Sequence, residues 1–230
     1  PLDNVLVGAH YYPWYIDDYV ISRGSLYRPI MGDYSSNNRI VINKHIDWAT
    51  GHGIDAFIFA WTGVDGPSDR VIKNTFLKSE LIDNIKFGFI TSVIHRDEPP
   101  QERYNFDREV VRREFLDNIR YLAQRYFSHP QCLNINGGAV LYLWDSWLYT
   151  GDFPSALTQA REIVESEVAT DLFLVGHVIG RAKVDEGRYQ DLIRCTDAIN
   201  DYVPIPLHLV QNFTLDEKLI DSYTIPWSKY

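Results

Sequence analysis

The chain has 230 residues, a net charge of −9, and a composition that is 45% hydrophobic and 14% aromatic, with 15 Tyr and 6 Trp. That charge disfavours a nucleic-acid backbone or an anionic membrane surface as partner, and no run of about 18 apolar residues that could span a bilayer occurs. The two cysteines, Cys132 and Cys195, are too few for a disulfide framework and lack metal-ligand spacing, so they read as two free thiols or one bridge, and no metal site is visible.

Residues 5–9 form a continuous apolar run that suits a strand buried on both faces. Ile42, Ile46 and Ala49 then recur at helical spacing over 39–50, with Ser36 and Asn37 as candidate caps and Gly51 and Gly53 as stops. DAFIFAW (55–61) reads as a second strand, a helix is predicted near 69–83, and KFGFITSVI (86–94) reads as a third strand. The clearest helix covers about 107–127, where Val111, Phe115, Ile119, Leu122 and Tyr126 share one face and Pro130 ends the run. AVLYLW (139–144) is the fourth strand. A helix opens at Asp152 with Pro154 in its first turn and Leu157, Ala160 and Val164 inward. DLFLVGHV (171–178) is the fifth strand, a helix covers roughly 185–195, and AINDYV (198–203) is the sixth strand.

Strands alternating with helices imply an α/β domain with parallel pairing, here one domain over 1–230. Six such units suit either a doubly wound sheet or most of a (β/α)8 TIM-type barrel. A nucleotide-binding doubly wound sheet carries a Gly-rich turn after its first strand. Here that turn is His10-Tyr11-Tyr12-Pro13, whose rings keep a phosphate away from the backbone. The barrel is therefore expected, and an incomplete one, since eight units take about 250 residues.

Barrel chemistry sits at the carboxyl ends of the strands. Those ends read His10-Tyr11-Tyr12, Trp61, His95, Trp144-Asp145, His177 and Asp201-Tyr202. Aromatic faces beside a few convergent polar groups suit a sugar, which lays its apolar C–H face on a ring and bonds its hydroxyls to the polar groups. The competing reading is that the rings are core filler. The candidate glycan-binding residues are His10, Tyr11, Tyr12, Trp61, Trp144, Asp145 and Tyr202. No Gly-rich phosphate loop, Cys/His cluster or Gly-x-Ser-x-Gly elbow occurs. His45 and His52 read as surface or satisfied core groups on the first helix, and His129-Pro130 as a helix stop. Asn212-Phe213-Thr214 is an N-glycosylation triplet, which would matter only in a secreted chain.

The motifs HYYPWY after the first strand, GDYSSNN (32–38), HIDWATGHGIDAFIFAW (45–61) and YFSHPQCLNINGGAVLYLWDSW (126–147) together resemble the glycoside hydrolase family 99 proteins. These are endo-α-mannosidases and their bacterial endo-mannanase and 99-like relatives. The likeness runs from about residue 5 to 147 and continues more faintly through DAINDYV (197–203). It implies a (β/α)8 barrel and retaining, endo-acting cleavage of α-mannosidic bonds in a glycan, without a cofactor. On that basis Tyr11 and Tyr12 would line the floor of the sugar cleft, and Trp61 would flank a donor-side sugar. Trp144 and Asp145 would form the fourth-strand rim, with Tyr202 on the sixth.

Two departures stand out. The family usually has Trp-Trp after the second strand, whereas this chain has Trp61-Thr62-Gly63. The family's catalytic Asn-Glu-Trp-x-Glu motif does not occur in these 230 residues, so no catalytic pair can be named, although glycoside hydrolysis ordinarily uses two placed carboxyl groups. The resemblance thus implies an N-terminal portion whose carboxylates lie in later βα units. The alternatives are a catalytically empty barrel that binds glycan or serves as a structural subunit, and an unrelated barrel glycosidase using Asp145 and Asp201.

Overall fold

The computed structural model describes residues 5–16, 29–91, 98–178 and 187–201. The strands are β1 (Gly8–Tyr11), β2 (Ala56–Ala60), β3 (Lys86–Thr91), β4 (Asn134–Ile135), β5 (Gly138–Leu143), β6 (Asp171–Val178) and β7 (Ala198–Asp201). The helices are α1 (Arg39–Gly51), α2 (Pro67–Asn74), α3 (Pro100–Arg103), α4 (Glu109–Leu122), α5 (Phe153–Val168) and α6 (Gly187–Cys195).

Six strands pair in parallel in the order β1-β2-β3-β5-β6-β7, and the short β4 pairs antiparallel with β5. The order follows the chain without reversal. A doubly wound sheet must reverse at a switch point, so this is the singly wound arc of an incomplete (β/α)8 barrel, as the alternation predicts. The β4–β5 hairpin is an addition that the pattern reading passed over. Its turn is Asn136-Gly137, both at positive φ (52° and 86°), which is the backbone a tight two-residue hairpin needs.

The two sheet faces bury different sets. Phe57, Phe59, Phe87, Phe89, Leu141 and Leu174 point to the helices, against Ile42 and Ile46 of α1, Ile72 of α2, Phe115 and Ile119 of α4, and Leu157 of α5. Ile58, Ile90, Val140 and Val175 point the other way, joined by Leu133 from the hairpin. Much of the aromatic excess is spent on the helix side. Phe59 meets Phe76 edge-to-face at 4.7 Å, and Phe87 meets both Phe76 and Phe89 at 5.8 Å. Such pairs add about 0.5–1.5 kcal/mol each beyond the area they bury.

Local chemistry sets the helix ends. Asn38, one residue beyond the expected caps, takes the cap of α1 by accepting from the Ile40 N–H at 2.9 Å. Ser36 is instead buried, and its N–H donates to the Tyr15 carbonyl. The helix expected near 69–83 is shorter: α2 ends at Asn74 and two single 3-10 turns, Phe76–Lys78 and Ile82–Asn84, carry the chain to β3. Along α4 every predicted inward residue is buried, and the helix closes in a π turn, Ala123–Phe127, that keeps Tyr126 in the core. Asp152 caps α5 with Pro154 in the first turn, as predicted. Cys132 is buried and Cys195 half-buried, both unbridged, and burial pushes the Cys132 thiol up to about 12.

Candidate functional site

Register decides which strand-end side chains can meet. In a parallel sheet, residues paired across a ladder project from the same face. Ile58 belongs to the face away from the helices, so its partner His10 does too. Along β5, Tyr142 and Trp144 follow Val140 on that face, and His177 follows Val175 along β6. Asn200 pairs with His177 and follows them. The concave face thus gathers His10, Tyr142, Trp144, His177 and Asn200 near the carboxyl ends of β1, β5, β6 and β7.

Four of these residues meet in two ring pairs. The His10 and Tyr142 rings meet edge-to-face at 5.9 Å, and the Trp144 and His177 rings lie 4.9 Å apart. Burial pulls the His10 imidazole below its usual range and pushes the Tyr142 hydroxyl above its own. The first is therefore neutral at pH 7 and the second protonated. Tyr12 lies just beyond β1, half-buried, with its ring 4.8 Å from that of Trp14.

Asp145 follows Trp144 in the left-handed conformation (φ 53°, ψ 20°), which costs a residue with a Cβ roughly 1–2 kcal/mol, less for Asp and Asn. The turn aims its main-chain N–H at His177 Nδ1, 3.2 Å away. Its carboxylate accepts from the Tyr104 hydroxyl at 2.9 Å. Burial first, then the Asp145 charge, push Tyr104 well above the usual tyrosine range, so it remains a donor. The next residue, Ser146, brackets the His177 main chain: its Oγ accepts from the His177 N–H at 2.7 Å and donates to the His177 carbonyl at 3.1 Å.

Two predicted residues belong to the opposite side of the sheet. Tyr11 stacks on Phe57 at 4.5 Å and bonds through its hydroxyl to His45 Nδ1 of α1 at 2.7 Å. Trp61 is 3% exposed, stacks near Tyr121 at 5.9 Å and donates its indole N–H to Asp69. Both rings lie in the sheet–helix layer, and the structure does not bring them together with His10 and Trp144. Tyr11, expected on the floor, is a half-buried ring packed against the core, and Trp61, expected to flank a sugar, is a buried one; each has its polar tip hydrogen-bonded. His45, expected as surface or satisfied core, is the partner that satisfies Tyr11.

Tyr202, His95 and Asn212 lie outside the described residues. Tyr142 and Asn200 are not among the residues expected from the sequence, because each lies one or more positions before the strand-end stretches considered there. The signal was the alternation Val140, Tyr142, Trp144. It is masked because both faces of β5 are apolar, as in any covered parallel strand. Among the described residues, no group of three or more His, Cys, Asp or Glu is placed to hold a metal ion, and no helix is long and apolar enough to cross a membrane.

No family model and no curated protein sequence matches the chain. Solved structures do. The GH99 endo-α-mannosidase from Bacteroides thetaiotaomicron in complex with bis-tris propane aligns at 20% identity and TM-score 0.63, over 86% of this chain and 58% of that one. A second structure of GH99 endo-α-mannosidase from the same organism aligns at 18% identity and TM-score 0.61, over 86% of this chain and 61% of that one. A glycoside hydrolase-like protein aligns at 19% identity and TM-score 0.59, over 76% and 52%. The chain therefore spans a little over half the length of the structures it resembles. What it shares with them is the fold of the glycoside-hydrolase barrel.

Proposed function

We propose that the chain is part of a glycoside hydrolase of the family-99-like type, a retaining, endo-acting enzyme for α-mannosidic or related glycan linkages. The observation that carries this reading is the juxtaposition of His10, Tyr142, Trp144 and His177 on the concave face near the strand ends, where barrels place their chemistry. The Trp144 indole, with the His10 imidazole and the Tyr142 phenol on the same face and the buried His177 ring against it, gives a sugar one apolar face and hydrogen-bonding groups beside it. The sequence resemblance and the shared fold point the same way. The catalytic carboxylates are assigned to a segment outside the described strand ends. Asp145, the acid on the β5 rim, is occupied with Tyr104 and serves the turn.

That occupation also favours a second reading: a catalytically inactive glycan-binding or structural subunit of the same fold. Incubation with α-mannan and with mannosylated glycans separates the two. Release of shortened oligosaccharides that keep the α configuration supports the hydrolase. Retention of uncleaved glycan at every pH supports the binding subunit. Neither cleavage nor retention of any mannosylated glycan would sink the glycan reading altogether.

A further inference from the structure

We propose that His177 is a positioning residue for Trp144, and that the left-handed turn at Asp145 locks its imidazole in the tautomer bearing the proton on Nε2. The role of Trp144 in this inference rests on the glycan reading above; the tautomer does not.

The argument is one of donors and acceptors. A main-chain N–H can only donate, so the ring nitrogen facing it must offer a lone pair. The Asp145 N–H faces Nδ1 at 3.2 Å, which leaves the proton of the neutral ring on Nε2. The amide reaches Nδ1 because Asp145 takes positive φ, and the Tyr104 hydroxyl holds that side chain at 2.9 Å. Ser146 Oγ, bonded to both the N–H and the carbonyl of His177, fixes the strand position from which the ring projects. With main chain and ring nitrogen both tied and the residue only 4% exposed, the imidazole has little freedom to turn. Trp144, one residue before the turn, packs against it at 4.9 Å. A stacking platform held in this way binds without first having to be ordered.

The test combines a spectroscopic readout with an affinity. Protein labelled with ring ¹⁵N histidine is examined by long-range ¹H–¹⁵N correlation, with His177→Gln identifying the His177 signals among those of the seven histidines. The expected pattern is that of a single Nε2–H tautomer. Asp145→Asn, which tolerates positive φ and can still accept from Tyr104, keeps it. Asp145→Ala and Tyr104→Phe give mixed or exchange-broadened signals, with a fall of about tenfold in α-mannan affinity. An Nδ1–H pattern in the unmodified protein, or an unchanged pattern in both Asp145→Ala and Tyr104→Phe, overturns the lock whatever the glycan does. Loss of the pattern with unchanged α-mannan affinity overturns the positioning of Trp144. Absence of any mannosylated-glycan binding by the unmodified protein defeats the glycan reading instead, and the ring spectra still decide the lock.

Discussion

Trp61 donates its indole N–H to the Asp69 carboxylate, eight residues further along the chain, at 3.1 Å. The same carboxylate, buried at the start of α2, accepts from the Tyr121 hydroxyl at 2.8 Å, the Tyr126 hydroxyl at 2.5 Å and the Asp65 N–H at 3.1 Å, with Lys73 Nζ at 3.4 Å. One acid thus gathers the β2–α2 loop and both ends of the last turns of α4. A buried charge is tolerated when its lone pairs are all engaged, and here the donors come from three different segments.

This carboxylate makes stability depend on pH. Desolvation alone would raise the Asp69 pKa, but the hydrogen bonds from Tyr126, Trp61 and Tyr121 outweigh it and hold the group below the usual range. A pKa depressed on folding stabilises above the unfolded value and loses that contribution as pH falls through the folded one. Denaturant unfolding is therefore expected to show a steep loss of stability below about pH 4. In Asp69→Asn that loss should be visibly shallower. Asp69→Ala strands three donors in the core and is expected to cost about 3–5 kcal/mol at pH 7. An acid limb identical in the Asn variant would show that other carboxylates govern it.

Gly151 is a second sensitive point. Its φ is 68°, and a Cβ there would lie 2.7 Å from both the Asp107 main-chain nitrogen and the Asn105 side-chain oxygen. The neighbouring bonds, Phe106 N–H to the Thr150 carbonyl and Thr150 N–H to that of Tyr104, tie this loop to the segment carrying Tyr104. Gly151→Ala is expected to lower stability by about 2–3 kcal/mol, read from the midpoint of chemical unfolding at unchanged slope.

Tyr149 offers the opposite case. Its ring packs between Phe106 at 4.9 Å and Phe153 at 6.1 Å, while its buried hydroxyl has no hydrogen-bond partner among the described residues. Removing an unsatisfied buried hydroxyl relieves its desolvation cost. Tyr149→Phe should leave the fold intact and raise stability by up to about 1 kcal/mol, measured by thermal or urea unfolding. A clear loss would mean that the hydroxyl has a bound water or other partner.

For the concave face the direct probe is Trp144→Ala. If a sugar ring lies on the indole, affinity for α-mannan should fall by about 1–2 kcal/mol by titration calorimetry, with the circular dichroism spectrum retained. The parallel change Trp61→Phe, in the helix-side layer, should appear mainly in stability, because it removes one of the donors to the buried Asp69 carboxylate. Equal affinity losses in both variants would argue against separate roles for the two faces.

The long elements were legible for two different reasons: the helical period of α4 shows its inward face from Val111 to Tyr126, and β6 reads from Asp171 to Val178 as a nearly unbroken apolar run. The partition of the rim was not. Tyr11 and Trp61 look equivalent to His10 and Trp144 when the strand ends are read without their register, and a buried parallel strand such as AFIFA carries no polar alternation to mark its faces. Only the ladder register, His10 opposite Ile58 and Tyr11 opposite Phe59, sorts them. The positive φ at Asp145 has no sequence signal beyond the tolerance of Asp for it, and the Tyr104–Asp145 bond joins residues 41 apart.

The chain-ordered sheet has a consequence for how the molecule comes together. With the short β4 set aside as a hairpin on β5, each parallel ladder joins successive strands of the six, as Gly8 with Ala56 and Val175 with Ala198 do, so each closure spans one strand-to-strand connection. Loop-closure cost grows only slowly with length, at about 0.6 kcal/mol per doubling, and no ladder among these six strands has to wait for a distant partner. The arc can grow stepwise as the chain leaves the ribosome, each unit templating the next on the edge it exposes. The same open edge that lets the next unit dock is also where a stalled chain would stick to its neighbours.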